Sequence, residues 1–209
     1  MRAGLVALFL LVLAGIGHTA DVRLVDTVIA EIGARSVMLS DVALARALGV
    51  LGLEPSAGPI TEADLANYLD AQLAVHEATQ LAIEVPAADV DRAWSRAGGA
   101  SLETRLSAVG IDPAWARQLL EADLRVERFV DLRFRSFAFV TDFEVDEALG
   151  LGPHDEATRA QTRDRLRAEM IDRALTAWKE DARQRIPIRP VPRVTGPWPA
   201  PFTLGLPPA

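Results

Sequence analysis

Extended structure is predicted at only two places in this 209-residue chain, one near each end. Residues 25–32 are rich in β-branched side chains, Gly33 suits a tight turn, and residues 37–39 are apolar again, a pattern that predicts a β-hairpin. The alternating prolines of residues 186–191 forbid a helix there. Because two strands alone are marginally stable in water, we predict that this last segment pairs with the hairpin or packs beside it.

Capping and stop signals divide the rest of the chain into helices. Ser40 is a candidate N-cap for the first helix, Thr61 and Asp64 have the spacing of a capping box, and Asp112 is followed by Pro113 at the first helical position. The predicted helices cover residues 40–49, 61–86, 87–97, 101–110, 113–134, 141–149 and 156–185. The fold class is therefore mainly α, a multi-helix core with a small N-terminal β-hairpin joined by a C-terminal strand.

The last predicted helix has an apolar stripe at helical spacing, which predicts one packed face. Its members are Leu166, Met170, Ala174 and Trp178, widened by Ile171 and Leu175.

The first twenty residues predict a secretory signal. Their apolar run, residues 5–16, is about a dozen residues long, shorter than the roughly 20 that a spanning helix needs, and small residues follow it. We expect cleavage after Ala20, and a retained membrane anchor is the alternative hypothesis. The predicted organisation is a signal at residues 1–20, one helical domain at residues 21–192 and a proline-rich flexible tail at residues 193–209.

The composition narrows the class of partner and the compartment. Of the 22 Lys and Arg residues only Arg2 lies in the signal, so the mature chain has 21 basic and 29 acidic side chains and a net charge of −8. Nucleic-acid phosphates require the opposite sign, so we expect no nucleic-acid partner. The chain has no cysteine, which excludes a disulfide framework and thiolate chemistry. Because the signal predicts export and cleavage, we expect the mature chain to be periplasmic. We also expect that it is not stably inserted in the membrane once the signal is removed.

Five segments in order resemble the N-terminal chaperone module of SurA-type periplasmic proteins, a likeness that covers residues 25–192. VDTVIAEIGARSVMLSDV resembles the strand–turn–strand–cap opening of that family. LAIEVPAADVDRAW resembles a long helix that ends in a β-branched residue before a short acidic-start helix, and LETRLSAVGIDPAWARQLLEADLRVERFV resembles the next two helices. VTDFEVDEAL and ARQRIPIRP resemble the acidic helix and the terminal strand.

The chain departs from that family at one point. Full-length members carry one or two parvulin-type prolyl isomerase domains between the acidic helix and the final helix. Here only GLGPHDEA lies between them, far below the roughly 50 residues of a small domain. The resemblance therefore implies the chaperone core without its isomerase, and clients that are unfolded outer-membrane proteins.

No catalytic residue, metal or cofactor is predicted. His76 reads as a half-buried helix histidine and His154 lies in a loop, and neither belongs to a cluster of metal ligands. A cluster of acids is interpreted as helix caps and first-turn residues that complement helix dipoles. These acids are Asp142, Glu144, Asp146, Glu147, Asp155 and Glu156.

Four aromatic residues are candidate polypeptide-binding residues. Phe137, Phe139 and Phe143 fall in and just after a break between helices, and Trp94 lies between two arginines on a short helix. Packing in the core is the alternative for all four. An aromatic groove with few directional polar groups would accept many apolar sequences.

Three functions remain open on the sequence. The first hypothesis is a holdase-type chaperone that binds unfolded envelope polypeptides without catalysis. The second is an envelope assembly or scaffold subunit with one fixed protein partner, with the proline-rich tail as a docking segment. The third is a residual peptidyl-prolyl isomerase. Exchange of the last helix between two copies leaves a homodimer open.

Overall fold

The structure is a computed structural model, and it describes residues 26–33, 35–56, 58–150 and 152–191. The predicted signal at residues 1–20 and the predicted tail at residues 193–209 lie outside the described residues.

A three-stranded antiparallel sheet joins the two ends of the described chain. Its strands are β1 (Val28–Ile32), β2 (Arg35–Met38) and β3 (Ile188–Pro190), and their order is β2-β1-β3. Ile32 lies opposite Arg35 on one side and Ile188 on the other. The N–H of Gly33, at a φ of +58°, donates to the Pro187 carbonyl over 3.1 Å. The predicted pairing of the last segment with the hairpin is confirmed.

Seven helices make up most of the described residues, as the mainly α class predicts. They are α1 (Leu39–Leu48), α2 (Glu62–Gln80), α3 (Ala87–Arg96), α4 (Gly99–Ala108), α5 (Pro113–Arg133), α6 (Asp142–Leu149) and α7 (Glu156–Arg185), with a short 3-10 turn at Arg135–Phe137.

The first helix begins differently from its prediction. Ser40 lies inside α1 and Met38 is the N-cap, so the prediction of Ser40 as the cap is wrong. The reason is the sheet, because the N–H of Leu39 donates to the Thr27 carbonyl over 2.8 Å and β2 continues directly into the helix. The Asp41 carboxylate accepts from the Met38 N–H over 2.9 Å and closes the first turn.

The second helix ends six residues before Pro86, the predicted boundary. Ala82 takes a left-handed φ of +52°, and the N–H of Ile83 donates to the Ala78 carbonyl over 2.9 Å. This pattern ends a helix in the way a Schellman motif does, with alanine where glycine is usual. The turn lets Ile83 pack against the core.

The main core combines side chains from the sheet, from α1 to α5 and from the C-terminal half of α7. Tyr68 and Phe129 are among its largest fully buried side chains. Trp178 of α7 packs against Phe129 and Phe134 of the α5 end, with ring centroids 5.0 and 6.1 Å away. This aromatic cluster fixes the last long helix to the body of the fold.

A smaller packed region joins α6 to the N-terminal half of α7. Ala138, Val145 and Thr162 are buried there, outside the main core. Arg163 of α7 pairs with Asp142 over 2.6 Å, and Arg159 of α7 pairs with Asp146. The helix α7 therefore connects two packed regions, one at each end.

None of the helices in the described ranges combines the length and the apolar character that crossing a bilayer requires.

Candidate functional site

Large apolar side chains are exposed at the end of α5, along the segment that connects α5 to α6 and in the first turn of α6. The exposed fractions of Phe137, Phe139 and Phe143 are 73%, 76% and 75%, and that of Leu132 is 59%. We call these four residues the phenylalanine surface. Most large apolar side chains of a soluble domain are buried, so three phenylalanines within seven residues at this exposure are unusual.

The backbone below the phenylalanine surface is held in place by its neighbours. Phe134 and Ala138 are buried on either side of the 3-10 turn. The N–H of Phe139 donates to the Phe137 carbonyl over 3.2 Å, a three-residue turn about Ala138. Buried anchors therefore alternate with exposed rings, and the exposure of Phe137 and Phe139 follows from how the segment is fixed.

Hydrogen bonds secure both ends of this segment. The Ser136 hydroxyl donates to the Asp131 carbonyl over 2.8 Å, and the Arg167 guanidinium of α7 donates to the Arg135 carbonyl over 3.2 Å. At the other end, Thr141 caps α6 and its N–H donates to the Glu144 carboxylate over 2.7 Å. The loop that carries Phe137 and Phe139 is therefore supported at both ends.

The capping bonds also affect the charge of Glu144. Hydrogen bonds from the backbone N–H and the hydroxyl of Thr141 hold the pKa of Glu144 below its ordinary value. Glu144 therefore stays ionised at neutral pH and completes the N-terminus of α6.

A cleft of about 270 Å³ lies between α6 and α7, next to this segment. Its apolar lining comes from Val140, Ala148, Leu166 and Met170, and Glu144, Glu147 and Arg173 supply its charged lining. The volume is below the range of typical small-molecule sites, roughly 300–1,000 Å³, and suits one or two apolar side chains of a longer chain.

The apolar stripe predicted on α7 is buried at its C-terminal end and partly exposed near this cleft. Trp178 is buried in the main core, whereas Leu166 and Met170 are half-buried and Ala174 is exposed. A helical period identifies a face, but it does not show how far along the helix a partner covers that face. The cleft and Leu132 were therefore missed by the sequence reasoning.

Trp94 lies elsewhere and in a different environment. Its side chain is 6% exposed within the main core, and the Arg117 guanidinium carbon lies 4.5 Å from its ring centroid. A cation over an aromatic face is a stabilising contact. Core packing therefore accounts for Trp94, and the candidate site contains the phenylalanines without it.

The other sequence candidates take structural roles. Asp142 and Glu144 lie in the first turn of α6, Asp155 is the N-cap of α7 and Glu156 lies in its first turn, as the interpretation of the acids as capping and first-turn residues predicts. Asp146 and Glu147 lie further along α6, where Asp146 pairs with Arg159, so the interpretation is wrong for these two. His76 is exposed on α2, so the expectation that it is half-buried is wrong. Across the described ranges, no group of three or more His, Asp or Glu side chains could hold a metal ion.

Comparison of the chain with protein-family models found no match, and a search of curated proteins found none either.

Proposed function

We propose that the mature chain is a periplasmic holdase-type chaperone that binds unfolded envelope polypeptides without catalysis. The observation that supports this proposal is the exposure of three phenylalanines, two on the segment between α5 and α6 and one in the first turn of α6. A fold that leaves these rings outside retains apolar area that a second polypeptide could cover.

The energetic reason is the hydrophobic effect. Full burial of one phenylalanine is worth roughly 1.5–3 kcal/mol, and edge-to-face contact between aromatic rings adds to it. Association also has entropic costs, so three rings suit a reversible contact better than a permanent one. A holdase requires reversible binding because it must release its client.

The charges around the rings favour tolerance of many client sequences. Asp131 pairs with Arg135 over 2.5 Å, and Asp142 pairs with Arg163 over 2.6 Å. Charges that are already paired offer few directional bonds to a client. Recognition would then depend on apolar contact, which does not select one sequence.

Aggregation of a denatured outer-membrane β-barrel protein tests the proposal, with light scattering as the measurement. We expect the mature chain to slow aggregation at near-stoichiometric ratios. The triple variant Phe137→Ser, Phe139→Ser, Phe143→Ser should lose most of this effect. The matched control is Leu81→Ser with Val109→Ser, because both residues are exposed and apolar but lie outside the phenylalanine surface.

The substituted side chains are exposed, so each change should alter the stability of the fold by about 0.5 kcal/mol or less, and circular dichroism verifies the fold of each variant. A mature chain without effect on aggregation, or a triple variant as active as the control, would contradict the proposal. Affinity purification with the same variants distinguishes the chaperone from the assembly or scaffold subunit. One dominant partner in place of many unfolded clients indicates an assembly subunit.

A further inference from the structure

A second cavity, of about 160 Å³, lies between the β-hairpin and α2. Arg35, Gln72, His76, Thr79 and Gln80 supply its polar lining, and Ile32 and Val75 are its apolar walls. It shares no lining residue with the phenylalanine surface or with the cleft between α6 and α7.

Gln72, which lines this cavity, carries a buried donor without a partner among the described residues. The exposed fraction of Gln72 is 5%, and its Nε2 has no hydrogen-bond partner among the described residues. The Arg35 guanidinium donates to Gln72 Oε1 over 3.1 Å. Because a guanidinium has donors only, this bond fixes the amide orientation and directs the Nε2 hydrogens elsewhere. Buried donors are normally paired, so an acceptor at this position would complete the site.

The Arg35 guanidinium also has N–H donors beyond the one that binds Gln72. A guanidinium carries five N–H donors, and no carboxylate lies within ion-pair distance of Arg35 in the part of the chain that the structure describes. Among the described residues the lining of the cavity contains no Asp or Glu, although the chain has 29 of them. The cavity is therefore a local donor site in an acidic protein.

We propose that this cavity binds a carboxylate that carries an adjacent apolar group. A carboxylate can accept from the guanidinium in the paired geometry that arginine favours, and a small rotation of the Gln72 amide would bring the buried Nε2 within reach of the same carboxylate. Ile32 and Val75 provide contact for the apolar group beside it. The cavity holds about five water volumes of roughly 30 Å³ each, which suits a chain end or a small acid.

Two sources offer this chemistry, the C-terminal carboxylate of a polypeptide and a free carboxylic acid. Capture of chain ends is a known mode of peptide recognition. The inference is independent of the proposed chaperone function, because it concerns other residues on another part of the fold.

Nuclear magnetic resonance titration of the mature chain tests the inference, with the side-chain amide signals as the readout. The chain has five glutamines and one asparagine, so the Gln72 signal can be assigned by its loss in Gln72→Met. The probes are N-acetyl-leucine, the tetrapeptide acetyl-Ala-Ala-Ala-Leu with a free C-terminus, the amides of both, and inorganic phosphate. We expect the two acids to shift the Gln72 signal and the two amides to bind at least tenfold more weakly.

Substitutions of the lining residues test whether the acids bind in this cavity. Arg35→Gln should weaken binding of the acids at least tenfold, and Gln72→Met should weaken it as well. The matched control is Arg189→Gln, because Arg189 is exposed on β3 of the same sheet and lies opposite Glu31, outside the cavity lining. Thermal unfolding of each variant separates loss of binding from loss of fold, and Gln72→Met keeps the volume of the side chain.

Each outcome decides the question. Tighter binding of the tetrapeptide acid assigns the site to polypeptide ends, and equal binding of N-acetyl-leucine assigns it to free carboxylic acids. The inference is overturned if no acid shifts the Gln72 signal, if the amides or phosphate bind as well as the acids, or if Arg189→Gln weakens binding as much as Arg35→Gln.

Discussion

Tyr68 is the only tyrosine of the chain, and its hydroxyl is buried without a partner among the described residues. Burial, together with the negative charge of Asp41, raises the pKa of Tyr68 above its ordinary value of 10.0, and Arg35 opposes this shift only in part. The neutral phenol is therefore the form that the folded state holds.

This burial predicts a loss of stability at alkaline pH. The unfolded chain releases the Tyr68 proton at about pH 10, whereas the folded chain retains it at that pH, so the free energy of unfolding falls as pH rises above 10. The near-ultraviolet absorbance of the phenolate should appear only as the chain unfolds. Tyr68→Phe should lack this component of the alkaline loss. A phenolate signal centred near pH 10 with native circular dichroism would show that the hydroxyl is accessible to water.

Ala82 illustrates a residue that sequence reasoning could not place. Its φ of +52° lies in the left-handed region, which costs a residue with a Cβ roughly 1–2 kcal/mol. The chain accepts this cost because the turn allows Ile83 to pack against the core. Such a compensation arises from tertiary burial, and no local pattern in residues 80–86 reveals it.

We therefore predict that Ala82→Gly stabilises the protein by about 1 kcal/mol, since glycine adopts a positive φ without steric cost. Chemical unfolding measures the change. Ala88→Gly is the matched control, because Ala88 lies within α3 and the same substitution there should cost roughly 0.5–1 kcal/mol. Equal losses at both positions would contradict the account of this turn.

At the scale of single elements, the sequence predicted those helix starts that depend only on neighbouring residues. The capping box of Thr61 with Asp64 and the start of α5 at Asp112 and Pro113 are present as the sequence predicts. The start of α1 was not predictable, because a ladder hydrogen bond at Leu39 determines it. Sequence patterns thus located the caps, except where a hydrogen bond to a residue distant in the chain determines where the helix begins.

The candidate site was likewise predictable only in part from the sequence. A break between helices marked Phe137, Phe139 and Phe143, and their aromatic character drew attention to them. Their exposure could not be derived, because it depends on which neighbours are buried. Phe134 enters the core three residues before Phe137, and nothing in the local sequence separates these two phenylalanines.

The cap of α6 yields a prediction at this scale. This helix has eight residues and isolated helices of that length are unstable, so its N-terminal bonds matter. Thr141→Ala should reduce the protection of the α6 amides by about 1 kcal/mol, whereas Thr141→Ser should preserve it. Hydrogen exchange measures both, with the α2 amides as an internal reference. Unchanged exchange in α6 would show that the cap contributes nothing there.

Across the whole molecule, α7 and β3 unite the two ends. Trp178 packs against Phe129 and Phe134, Ile186 is buried, and β3 pairs with β1. The Arg183 guanidinium also binds Asp70 of α2, with both carboxylate oxygens within 2.8 Å of one nitrogen. The closure therefore combines apolar burial, a shared sheet and a charged contact.

Removal of the aromatic contact should affect the whole fold. Trp178→Ala is expected to lower the free energy of unfolding by about 3–5 kcal/mol, because it leaves a cavity against Phe129 and Phe134. Trp115→Ala is the control, since Trp115 is only half-buried and should cost less. Chemical unfolding compares them, and a loss below about 1 kcal/mol for Trp178→Ala would mean that α7 does not close the core.

A short connection joins the two helices that pack beside the phenylalanine surface. The helix α6 ends at Leu149 and α7 begins at Glu156. The phenylalanine surface lies just before this connection in the chain. We infer that the function of the fold resides in its own apolar surface.

Site-specific photo-crosslinking tests that claim most directly. A benzophenone side chain at position 139 or at position 81 is irradiated in the presence of a denatured outer-membrane protein, since both positions are exposed and apolar but only Phe139 belongs to the phenylalanine surface. The account predicts strong adducts from position 139 and few from position 81. Equal yields at the two positions, or adducts from position 81 alone, would contradict it.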